Sequence, residues 1–191
     1  MNENTKSQRA VKQNKAGYLK LFYNSAAARL GITLVAGGLL LAVAGAKAES
    51  TASTADSNFI LAAAQGGMTE VKLGEVAARK GTRDDVKAFG QLMVKDHTAI
   101  NADLKTLAAQ KGMTLPGSLD AKHQGMVDKM EALSSEKFDS AYIADMIKGH
   151  KADAKDFKSE SAETKDTDVK NFVDKSIPIV EAHLQRITAM K

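Results

Sequence analysis

Glu70, His97, His150 and His183 are the residues of this chain whose types and spacing fit one chemistry. Imidazole nitrogen suits zinc, copper, iron and nickel, and a carboxylate adds charge. Each of the four sits on the apolar stripe of a different stretch of helical sequence. Three imidazoles and a carboxylate can fill a tetrahedral site, or leave one position open if a ligand stays away. Asp153 follows His150 by three residues and is assigned as a further ligand or as an acceptor behind one. Asp96 adjoins His97 but projects about 100° away around a helix, which gives it to solvent or to a neighbouring helix. His123 is left out of the ligand set as an exposed residue. Met93 and Met146 each precede a stripe histidine by four residues. A His/Met group would favour copper, whereas flexible methionines also fill cores. The alternative is a metal-free polar layer in which Glu70 and a histidine pair to fix helix register.

Four long helices must position these residues. The first is expected at 58–80, with Phe59, Ala63, Gly66, Gly67, Glu70, Leu73, Gly74 and Ala77 inward. Its glycines cost helix propensity and let a neighbour approach. The second is expected at 83–111, with a capping box in Thr82–Asp85 at its start and Gly112 at its end. A shorter amphipathic segment is expected at 118–133. The third long helix should span 135–163 and the fourth 168–190, the latter kinked at Pro178. No strand alternation of useful length appears. The class is therefore all-α: an up-and-down four-helix bundle with a short extra helix in the crossover between helices 2 and 3. Counting from the turns supports a common height. Glu70 lies 11 residues before Gly81 and His97 lies 16 after it, while His150 and His183 flank Asp166 by 16 and 17.

Residues 1–48 read as a secretory signal: a basic leader, an apolar run over 30–45, then Ala46-Lys47-Ala48 before Glu49. An uncleaved signal anchor is the alternative, although the run is short for a spanning helix, which needs about 20 residues. The leader holds 7 of the 27 basic residues and 1 of the 23 acidic ones, so the remainder carries a net charge of −2. That removes any nucleic-acid footprint. The absence of cysteine excludes disulfides and thiolate metal sites. Residues 49–57 are small and polar and are expected to be a flexible segment. Residues 58–191 form the bundle domain. The expected location is periplasmic or secreted, without stable membrane insertion after cleavage.

The blocks FILAAAQGGMTEVKLGEVA (59–77), VKAFGQLMVKDHTAINADLKTLAAQKGMTLP (86–116), FDSAYIADMIKGH (138–150) and IPIVEAHL (177–184) resemble a bacterial exported family, domain of unknown function 4142. The resemblance covers about 59–190; its most specific parts are Asp96-His97, Leu115-Pro116 and the final Pro178 to His183 spacing. It implies a ferritin-like helical bundle and no particular activity. A ferritin-like di-iron site would place a Glu three residues before a His on two helices. Val94 and Val180 stand there, and His150 stands where a bridging Glu would be expected. One transition metal (zinc, copper or iron) or none fits better than two irons. The functions in play are an exported metal-binding bundle for storage, sensing or scavenging; a non-catalytic envelope stress or interaction protein with a structural polar layer; and a redox enzyme at a mononuclear site. No nucleophile–base pair, phosphate loop or cofactor fingerprint supports other catalysis. Protein partners are not legible.

Overall fold

The computed structural model describes residues 52–191. These form five helices and, among the described residues, no strand. They are α1 (Thr54–Lys80), α2 (Asp84–Gln110), α3 (Ala121–Glu131), α4 (Ser135–Glu163) and α5 (Thr167–Thr188). The predicted leader over 1–48 lies outside the described residues.

Helix starts are set by carboxylates and hydroxyls placed over free backbone N–H groups. At α1 the Ser53 hydroxyl accepts from Asp56 N at 3.1 Å, and Asp56 Oδ2 accepts from Ser53 N at 3.3 Å. This reciprocal box starts the helix four residues earlier than periodicity predicts. Residues 54–57, expected to be flexible, are helical for that reason.

The capping box expected in Thr82–Asp85 does not form. Arg83 occupies the cap without a side-chain cap bond, and its guanidinium holds Asp85 at 2.6 Å. Asp139 of α4 caps α2 instead, accepting from Thr82 N at 3.0 Å, Arg83 N at 2.9 Å and the Thr82 hydroxyl. A charged acceptor from a packed neighbour thus meets two backbone donors at the start of the helix and complements its dipole.

Gly112, at φ 67°, closes α2 as expected, in the left-handed region that glycine enters without penalty. The preceding Lys111 is buried and reaches Asp166 at 2.6 Å and Asp168 at 2.8 Å, which ties the end of α2 to the start of α5. The chain then returns alongside α1. Gln65 exchanges hydrogen bonds with Ser118 O and Asp120 N at 3.1 and 3.0 Å, and Arg79 clasps Glu131 at 2.9 and 2.7 Å. The short segment expected at 118–133 is thus α3, strapped along α1 between those two ties.

The most extensive packing joins α1 to α2 and α4 to α5. At Gly74 and Gly90 the first pair touches backbone to backbone. A Cβ built on either glycine falls 2.7 Å from the other's carbonyl oxygen. α5 continues through Pro178, which is exposed, so water can bond the Asp174 carbonyl that proline leaves free.

The core has two apolar clusters. One includes Leu73, Val86, Phe89, Met93, Tyr142, Met146 and Ile187. The other includes Ile60, Ala64, Ile100, Leu104, Val169 and Val173. Along all four long helices, the four chemistry-bearing residues fall between the two clusters.

Candidate metal centre

His97 is carried by α2, His150 by α4 and His183 by α5, with 3, 0 and 2% of each residue exposed. Their ring centroids form a triangle of 5.8 Å (His97–His150), 5.5 Å (His150–His183) and 5.2 Å (His97–His183). Three imidazoles bound to one ion at about 2.0–2.1 Å would set their centroids roughly 5–5.5 Å apart. The triangle is close to that size without any rearrangement of the helices. Phe89 packs edge-on against His150 and His183, at 6.4 and 6.1 Å, and keeps that side dry.

Each ring uses one nitrogen outward and leaves the other bare. His97 Nδ1 lies 2.9 Å from Glu70 Oε2. His150 Nδ1 lies 3.1 Å from the Met146 carbonyl oxygen, and His183 Nε2 lies 2.9 Å from Asp96 Oδ2. With oxygen acceptors behind them, the rings carry their protons on those nitrogens. His97 Nε2, His150 Nε2 and His183 Nδ1 remain buried with no hydrogen-bond partner. An orphaned buried polar atom costs about 1–3 kcal/mol, and three in one place is a large debt for a small bundle. One ligand nitrogen from each ring lies within 4.8 Å of the other two.

The protonation states suit ligation, which takes neutral imidazole. Burial lowers all three histidines, His97 to about 4 against the pull of Asp153 and Asp96. All three are neutral at pH 7. Burial raises Glu70, with His150 and the bond to Asp153 opposing. Burial and then the Glu70 charge push Asp153 up to about 8. The two carboxyls therefore hold a proton between them that a cation would displace.

The four residues are brought together, but not as four equivalent ligands. The three histidines form one potential ligand group, and Glu70, His150 and Asp153 form a second that shares His150. Glu70 faces His97 through one oxygen and stands 3.6 Å from His150 Nε2 with the other. Asp96 takes the neighbouring-helix option, as the acceptor that orients His183. Its one-residue offset from His97 was the available signal, but only the position of α5 turns that offset into a contact. His123 belongs to neither group; it is half-buried rather than exposed, and its ring bonds to Asp120 at 2.8 Å. Met93 and Met146 belong to the apolar cluster beside the layer.

Residues 41–190 match the family described as Domain of unknown function (DUF4142). No curated protein matches the chain. Among solved structures, the chain is similar to a DUF305 fragment from Deinococcus radiodurans, with a TM-score of 0.64 and 10% identity over 74% of this chain and 97% of that one. It is also similar to CopM in the Cu(I)-bound form, with a TM-score of 0.59 and 17% identity over 71% of this chain and 94% of that one. At these identities the likeness is one of fold.

Proposed function

We propose that this chain, which belongs to the DUF4142 family, is an exported ferritin-like bundle that holds a single transition-metal ion on His97, His150 and His183. The observation that carries the proposal is the trio of buried imidazole nitrogens without partners. An ion would satisfy all three at once. Glu70 and Asp96 would fix two of the rings from behind, as acceptors commonly do for metal-bound histidines. In this arrangement α1 and α5 run one way, α2 and α4 the other, and α3 carries the crossover. Three neutral nitrogen donors in a dry pocket suit copper or zinc. The fold likeness to a Cu(I)-bound protein makes Cu(I) the first ion to test.

The test is an anaerobic titration of apo-protein with Cu(I) against a coloured Cu(I) chelator, repeated with Zn(II). One ion per chain is expected, with a rise in melting temperature because the ion binds only the folded state. His97→Ala, His150→Ala and His183→Ala should each lose that ion while keeping a helical spectrum. Failure of the wild type to hold either ion would refute the proposal.

A specific observation favours the second reading, a structural polar layer. The pairs Glu70–His97 and Asp96–His183 each join two helices. That reading leaves the three bare nitrogens without a purpose. Export is proposed from the leader at 1–48. An exported species whose intact mass begins at Glu49 is expected, and one retaining Met1 in the membrane fraction would replace cleavage with anchoring.

A further inference from the structure

A cleft of about 120 Å³ reaches from the surface toward the histidines between α1 and α4, with Gly66, Gly67, Glu70, His97, Asp153 and Asp156 on its walls. Exposure falls along it. Asp156 is exposed, Glu70 and Asp153 are partly covered, and His97 is buried at its floor. Gly66 is not a packing glycine: a Cβ there meets nothing within 4 Å, whereas one at Gly67 would run into the Asn101 side chain. A glycine inside a helix costs about 1 kcal/mol relative to alanine, and at Gly66 no close neighbour requires it.

We propose that this cleft is the route by which a metal ion reaches the three histidines, and that Glu70, Asp153 and His150 form an outer cation station along it. This rests on the three-histidine reading above. The outer group offers one atom from each residue, all within 4.8 Å of one another. His150 is fully buried, and its Nε2 has no partner and faces Glu70 Oε1 at 3.6 Å. His150 belongs to the inner group as well, and with Nδ1 turned to the Met146 carbonyl its one unpaired nitrogen can bind only one ion at a time. The two stations are therefore alternatives, and an ion moves inward by exchanging carboxylate oxygens for the nitrogens of His97 and His183 while keeping His150. Oxygen donors accept cations broadly, and imidazoles retain transition metals. The outer station recruits and the inner one selects.

The experiment is stopped-flow measurement of Cu(I) uptake by apo-protein and of its withdrawal by excess chelator. Gly66→Leu adds bulk to the wall of the cleft one turn from Glu70 and removes no ligand. It should slow both rates by about tenfold or more, as a closed gate does, with one ion still bound at equilibrium and affinity unchanged. Asp153→Asn should slow uptake, because it exchanges a carboxylate ligand oxygen of the outer station for a weaker amide one, again with one ion at the end point. Gly125→Leu, on the open face of α3, should change neither rate. Wild-type rates in both Gly66→Leu and Asp153→Asn, with one ion bound, would overturn the route and leave the three-histidine site standing. A wild type that binds no ion would overturn both.

Discussion

At the scale of single residues, each histidine of the layer is held by an oxygen acceptor behind its ring. Periodicity assigns His97, His150 and His183 to buried stripes because a stripe is a property of one helix. Which ring nitrogen is engaged depends on atoms from elsewhere. Glu70 reaches His97 from α1, and Asp96 reaches His183 across the α2–α5 contact. His150 uses its own helix, through the Met146 carbonyl. Asp96 supplies the sharpest test of this layer. Asp96→Ala removes the acceptor that fixes the His183 tautomer without removing a ligand. Metal affinity should fall by about 10–100-fold with the fold retained, as is typical when such an acceptor is lost. An unchanged affinity in the chelator competition would show that His183 needs no such support, and would favour a purely structural pair.

At the scale of elements, the helices followed from the pattern, and their ends did not always. Gly112 stops α2 where expected because a left-handed glycine is a local device. The start of α2 differs from the local expectation because its cap comes from Asp139, more than fifty residues along the chain. The glycines divide in the same way: Gly74 serves helix contact as expected, and Gly66 opens onto the cleft.

The start of α1 is held to the end of α4 through carboxyls that sequence alone could not pair. Burial would raise Asp56, but bonds with Thr164, Ser53 and Glu160 outweigh it and hold its carboxyl below the usual range. Burial, and then Asp56 beside it, push Glu160 up to about 7. The folded chain therefore keeps a proton on Glu160 that the unfolded chain gives up near 4.5. This contribution to stability is complete below that value and is lost as pH rises through about 7. The Asp56 contribution has the opposite sign and fades only in acid. Glu160→Gln keeps a donor for Asp56 and cannot ionise. In thermal melts of apo-protein, the variant should match the wild type near pH 5 and exceed it above pH 7. A difference that does not change with pH would mean that Glu160 is not the group responsible.

At the scale of the molecule, the arrangement is two apolar clusters separated by one polar layer. The expected common height of the four residues rested on counting from turns. It succeeds because all four lie well inside long helices, where an error of a few residues at an end matters little. An up-and-down order also sets the end of helix 2 beside the start of helix 3. In the structure, Leu107 of α2 lies in one apolar cluster and Phe138 of α4 in the other, with α3 spanning between them along α1. The middle of each helix is indifferent to that reversal, so the layer survives it. Among the described residues no helix is long and apolar enough to cross a membrane, and the lack of cysteine leaves packing and polar ties to hold the fold.

The central claim is that three imidazoles share one ion in that layer, and X-ray absorption at the copper edge tests it most directly. Protein loaded with one Cu(I) should show three nitrogen neighbours at about 2.0 Å with the outer-shell scattering of imidazole rings, and His150→Ala should abolish that pattern. A shell of oxygen neighbours without imidazole scattering, or a spectrum that His150→Ala leaves unchanged, would contradict the account.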